Sequence, residues 1–147
     1  MQVNKFEYVS KSKQEFDLPT RGTKHSAGYD FHSPIDCIIN PNETIKFSLE
    51  VKCSIKDDEF LAIVPRSSIG FKYFTLLCNT IGVIDSDYYN NPDNEGEIFI
   101  KLHNFGDKPL EIKTNDRICQ GIFVKYDVTN DDDVNAERTS GIGSTGK

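Results

Sequence analysis

Hydrophobic and polar positions alternate along much of the chain. Over residues 44–55, Ile45, Phe47, Leu49, Val51, Cys53 and Ile55 take turns with Lys46, Ser48, Glu50, Lys52 and Ser54. A period of two predicts a strand with one buried and one wet face. Residues 97–103 repeat the pattern with Ile98, Ile100 and Leu102 inward, and residues 117–126 predict a further strand with Ile118, Ile122 and Val124 inward. The continuous apolar run at 60–64 suits a strand buried on both faces. Pro19, Pro34, Pro41, Pro65, Pro92 and Pro109 fall between these runs, where turns belong. No stretch sustains a 3.6-residue period for long, and 67–73 predicts one short helix. Many short strands separated by turn signals predict an all-β fold, a sandwich or a barrel.

The length, 147 residues, fits one domain able to bury a core without staples. The C-terminal stretch breaks the pattern. Residues 129–137 include Asp131, Asp132 and Asp133 with almost no apolar mass, and 138–147 are rich in Gly, Ser and Thr. The expected division is a β core over 1–128 and a flexible linker and arm over 129–147. Net charge is −6 and the pI near 5.0, which argues against a nucleic-acid coat. No run approaches the roughly 18 apolar residues of a membrane helix, and the first ten residues have no apolar signal region. Cys37, Cys53, Cys78 and Cys119 are scattered without a C-x-x-C pair. They are expected to be free thiols in a reducing, cytoplasmic setting.

Several short motifs could carry chemistry. Gly141-Ile142-Gly143-Ser144-Thr145-Gly146-Lys147 fits G-x-x-x-x-G-K, but no strand precedes it and no helix follows, as a P-loop requires. Its glycines and hydroxyls, with Arg138, still suit an anion. Pro65-Arg66-Ser67-Ser68 offers a guanidinium and two hydroxyls at a strand end. That serves an anion, or equally an Arg salt bridge and a serine helix cap. Gly82-Val83-Ile84-Asp85-Ser86-Asp87-Tyr88 sets two carboxylates beside a ring. Such carboxylates can polarise water or bind Mg²⁺, or can simply form an Asx-rich turn. His25, His32 and His103 lack metal-ligand spacing and read as surface or satisfied polar groups.

In order, Ala27-Gly28-Tyr29-Asp30, Pro65-Arg66-Ser67-Ser68, residues 79–88, Asp116-Arg117-Ile118-Cys119-Gln120 and residues 138–146 resemble the ordered motifs of the trimeric dUTP diphosphatases (dUTPases). The resemblance implies a jelly-roll-like β-sandwich and a homotrimer whose active sites lie between subunits. It implies a mobile C-terminal arm that closes a neighbouring subunit's site. The implied reaction is Mg²⁺-dependent hydrolysis of dUTP to dUMP and pyrophosphate by water attack at the α-phosphorus. By matching motifs, Asp85 orients the water and Tyr88 packs on the deoxyribose. Asn79, Gly82, Val83 and Ile84 belong to the hairpin that reads uracil. Arg66, Ser67, Ser68 and Gln120 hold phosphates. Arg138, Ile142, Gly143, Ser144 and Thr145 form the closing arm. Asp30 reaches Mg²⁺ through water.

The chain departs from the family pattern in places. Ile142 stands where the arm usually carries an aromatic residue, which leaves Phe71, Phe99 or Tyr89 as other rings that could cap the base. Residues 89–97 make a longer loop than the usual link, similar to a variant of Gram-positive bacteria and their phages. Ser68 replaces the commoner glycine. Competing readings are a regulatory protein that uses a nucleotide as a switch for a protein partner, and the related dCTP deaminase.

Overall fold

The computed structural model describes residues 2–143; Ser144 and Thr145 of the expected arm lie outside the described residues. Twelve strands are described. The first six are β1 (Lys5–Tyr8), β2 (Thr20–Arg21), β3 (Tyr29–His32), β4 (Cys37–Ile39), β5 (Thr44–Ser48) and β6 (Val51–Ser54). After β7 (Glu59–Pro65) comes the short helix α1 (Ser67–Tyr73), placed as its sequence predicts. Then follow β8 (Thr75–Leu77), β9 (Gly82–Ile84), β10 (Phe99–Asn104), β11 (Leu110–Ile112) and β12 (Arg117–Lys125). The strands pair antiparallel in the orders β2-β3-β12-β7-β9, β5-β10-β8, β11-β4 and β1-β6. They enclose one core that includes Phe31, Ile39, Phe47, Leu61, Ile98 and Ile118. Non-consecutive neighbours throughout the order give the jelly-roll-like, all-β architecture that was expected.

Two expectations about strands need correction. Residues 44–55 keep the predicted alternation of burial as far as Cys53, with Phe47, Leu49, Val51, Cys53 and Ile55 inside but Ser54, expected on the wet face, buried too, and they are two strands rather than one. The chain turns at Glu50, whose φ is +54°. β5 pairs with β10, whereas β6 pairs with β1. On β12 the inward face is misassigned beyond Ile118. An irregularity between Arg117 and Cys119 shifts the register, and such a bulge exchanges the faces of every later residue. Cys119 and Gly121 are buried and Phe123 packs on the core. Ile122 and Val124 stand on the opposite face, beside Ala62 and Phe60 of β7. That outer face also decides the fate of the 60–64 run. Leu61, Ala62 and Ile63 are buried, but Phe60 and Val64 are only half-buried within the chain.

The histidines also divide. His25 is exposed, and His103 bonds the Thr44 hydroxyl through Nδ1 at 2.7 Å. His32 is buried with no hydrogen-bond partner for Nδ1, so it is not the satisfied group expected. The cysteines are free among the described residues, and burial pushes the Cys53 thiol up to about 12.

Candidate active site

The edge strand β9 carries the first cluster. Gly82 packs against Ile63 of β7, where an added Cβ would come within 3.1 Å of the Ile63 side chain. This close approach seats β9 on β7, while the preceding strand β8 pairs with β10 in another sheet, so residues 79–81 form a link between two sheets. β9 then delivers Asp85 to the N-cap of a 3₁₀ turn, Ser86–Tyr88. Extended backbone at Asp85 (ψ 154°) followed by the tight turn sets Asp85 and Asp87 side by side. One guanidinium bridges them: Arg138 donates through NH2 to Asp85 Oδ2 and through Nε to Asp87 Oδ1, both at 2.7 Å. Its side chain is only 8% exposed, while the two carboxylates remain open to solvent. The planar fork of Arg suits two acceptors in this arrangement. The guanidinium also lies 5.7 Å from the centre of the Tyr88 ring.

Tyr88 is buried and firmly held. Its hydroxyl donates to the Glu97 carbonyl at 2.6 Å and accepts from Asn94 Nδ2 at 2.8 Å. Burial pushes the phenol pKa up, against the smaller lowering effect of the Asn94 bond. Asn79, Gly82, Val83, Ile84, Asp85, Tyr88, Arg138, Ile142 and Gly143 are thus brought together around one cavity of about 260 Å³, with Phe99 as a further wall. Ile142, 69% exposed, lies over this cavity and a neighbouring apolar one of about 430 Å³ that Phe99 also lines. Of the rings that could cap a base, Phe99 is the one in place. Phe71 is 93% exposed on α1, and Tyr89 turns away to bond Glu7 and sit under Lys52.

Arg66, Ser67, Gln120 and Asp30 form a second cluster, elsewhere on the chain. Arg66 caps α1 through its backbone with no side-chain cap, so the serine cap is absent. Arg66 Nε binds Asp30 Oδ1 at 3.2 Å, and Arg117 NH1 approaches Asp30 Oδ2 at 3.7 Å. Ser68 Oγ sits 3.5 Å from Arg66 NH1. Gln120 donates to the Pro65 carbonyl at 3.3 Å. A Cβ at Gly28 would displace the Gln120 side chain, whose oxygen it would meet at 2.0 Å. Gly28, Asp30, Arg66, Ser67, Arg117 and Gln120 line a cavity of about 220 Å³ that shares no residue with the Asp85 cavity, and Ser68 is not on its wall. Among the described residues no group of three or more His, Cys, Asp or Glu could hold a metal ion.

A family model described as dUTPase matches residues 14–146. The chain belongs to the dUTPase family. A deoxyuridine 5'-triphosphate nucleotidohydrolase of Lactococcus lactis is 40% identical over 149 residues, covering 99% of both chains. One from Haemophilus influenzae is 34% identical, covering 94% of this chain and 93% of its own. The crystal structure of dUTPase from Streptococcus mutans superposes with a TM-score of 0.77 at 35% identity, over 85% of this chain and 98% of that one. The dUTPase of Staphylococcus aureus phage phi11 shares the fold, with a TM-score of 0.73 at 18% identity over 91% and 97% of the chains.

Against the dUTPase motifs, the structure adds residues that motif matching left out. Arg117 reaches the Asp30 cluster because the β12 bulge brings it to the same face as Gln120; strict alternation puts the two on opposite faces. Asp87 shares Arg138 with Asp85, and its position two residues away was the available signal. Arg138 pairs with the carboxylates of its own chain's turn, and Gly141 and Ile142 pack on that chain's hairpin and loop.

Proposed function

We propose that this dUTPase hydrolyses dUTP to dUMP and pyrophosphate with Asp85 orienting the attacking water. The observation that carries the reading is the Asp85 cavity. It is lined by an open carboxylate, the firmly held Tyr88 ring, and Asn79 with Val83 and Ile84 of the edge strand β9. A strand edge offers backbone donors and acceptors to uracil. A rigid ring under the sugar leaves no room for a 2′-hydroxyl. The Asp85 carboxylate, open to solvent, can accept a proton from water held against the α-phosphorus. Positioning and charge stabilisation then supply most of the rate, since phosphoryl transfer asks little covalent work of a protein.

The other cluster suits the phosphates. Arg66, Arg117, Ser68 and Gln120 supply donors, and Asp30 holds the two guanidinium groups in place. Asp30 is committed to those arginines, and among the described residues no carboxylate cluster surrounds it. The residues therefore fit Mg²⁺ only as an ion carried by the substrate phosphates, with Asp30 reaching it through water. Mg²⁺ there would offset phosphate charge in a chain of net charge −6.

Two separate cavities for one substrate point to a site built between subunits. In a homotrimer, the Arg66 face of one subunit would meet the Asp85 hairpin of another, and residues 129–147 would act as the lid. The outer sheet face, with Phe60, Val64, Ile122 and Val124 half-buried and Val83 exposed, offers the apolar surface such assembly needs. The test is nucleotide product analysis after incubation with Mg²⁺ and dUTP, dCTP, dTTP or UTP in parallel. Conversion of dUTP alone to dUMP and pyrophosphate is expected. Released ammonia, or binding without turnover, would overturn the reading.

A further inference from the structure

We infer that Asp93, in the loop between Tyr88 and β10, is the latch that holds the C-terminal arm closed over the Asp85 cavity. Asp93 Oδ2 accepts a hydrogen bond of 3.0 Å from the backbone N–H of Gly141. Gly141 is buried although its arm neighbours Thr139 and Ile142 are exposed, so the arm touches down at this point. A Cβ on Gly141 would come within 2.5 Å of Asn94 Nδ2 and disturb the bond that this atom donates to the Tyr88 hydroxyl. Anchored at Arg138 and again at Gly141, the arm then places Ile142 against the cavity.

The loop is built to hold Asp93 still. Asn91 is buried and accepts from the backbone N–H groups of Asp93 at 3.0 Å and Asn94 at 3.1 Å. Its amide donates to the Tyr88 carbonyl at 2.8 Å and to Asn94 Oδ1 at 2.7 Å. Asn94 in turn donates to the Tyr88 hydroxyl. The extended loop thus ties the arm's landing point to the ring proposed to carry the sugar. Asp93 is a positioning residue in this scheme, and its effect rests on the hydrolytic reading of the site above. A charged acceptor for a backbone N–H raises the closed fraction of the arm, and turnover scales with that fraction.

Hydrogen exchange of the arm peptide and steady-state dUTP hydrolysis, each on the full-length chain, test the latch. Asp93→Ala removes the acceptor and spares the loop, since the Asp93 backbone still donates to Asn91. Faster exchange confined to residues 136–147 is expected, with kcat lower by roughly tenfold. Asp93→Asn, whose amide oxygen still accepts, should recover most of both, and Gly141→Ala should reproduce the Asp93→Ala defect from the arm's side. Wild-type exchange and kcat in Asp93→Ala would overturn the latch while leaving dUTP hydrolysis intact. A wild-type protein without turnover, yet with an arm protected through Asp93, would overturn the hydrolytic reading and leave the latch standing.

Discussion

At the scale of single residues, the reading turns on Asp85 and Phe99. Asp85→Asn keeps the shape and a hydrogen-bonding oxygen but removes the charge that accepts a proton. It should bind a non-hydrolysable dUTP analogue within a few-fold of wild type while kcat falls by about 10²–10³. Turnover close to wild type would take Asp85 out of its role. Phe99 was one of the rings left open by the sequence, and its place on the cavity wall comes from β10 running beside the hairpin. If it meets the base, Phe99→Ala forfeits stacking worth about 1–3 kcal/mol. KM should rise at least about fivefold, with kcat less affected. An unchanged KM would leave the aliphatic Ile142 as the base's cover. The motif string named Asp85 and Tyr88, but could not choose Phe99 from among the candidate rings and did not name Asp93. Both belong to elements whose neighbours are distant in sequence, and nothing local marks them.

At the scale of elements, the alternating pattern made the β class and most of the core legible. It failed where the ladder changes partner. Nothing in residues 44–55 marks Glu50 as the corner at which one strand leaves β10's sheet and the next joins β1. Nothing in Arg117 to Cys119 announces the bulge that turned Ile122 and Val124 outward. Both are tertiary decisions, made by partners rather than by the strand. The loop of residues 89–97 is also fixed from outside. Lys52 of β6 binds Glu95 at 2.9 Å, and Ser10 donates to the same carboxylate at 2.8 Å. These bonds, Lys52 first, draw the Glu95 pKa from 4.5 down to about 2. A depressed carboxylate stabilises the fold above its unfolded pKa, and that contribution is lost as pH falls from 4.5 towards 2. Glu95→Gln should therefore flatten the acid limb of a Tm-against-pH curve in that window. Identical acid limbs would show that this tether does not hold the loop. For the arm, a chain ending at Asn135 should keep its Tm but lose almost all turnover. Undiminished kcat would refute the lid.

At the scale of the whole molecule, the decisive feature is that the Arg66 cluster, proposed to bind phosphates, and the Asp85 cluster, proposed to activate water, line different cavities of one chain. If each active site joins the Arg66 cluster of one subunit to the Asp85 hairpin of another, two dead variants can repair one another. Asp85→Asn and Arg66→Ala should each be nearly inactive alone. In mixed trimers from co-expression, some sites would draw their hairpin from an Arg66→Ala subunit and their arginine from an Asp85→Asn subunit. Such sites are whole, and random equal mixing makes them about a quarter of the total. Activity of the purified mixed species should approach that fraction of wild type. A site contained within one chain gives no such recovery, because every chain then carries one lesion or the other. Ile122→Glu supplies the converse test. Its side chain lies off the core face, so the chain should still fold, but a charge on the apolar outer sheet opposes assembly. Sedimentation should show dissociated chains, with hydrolysis lost in step. Dissociated chains that still turned over dUTP would place the complete site within one subunit.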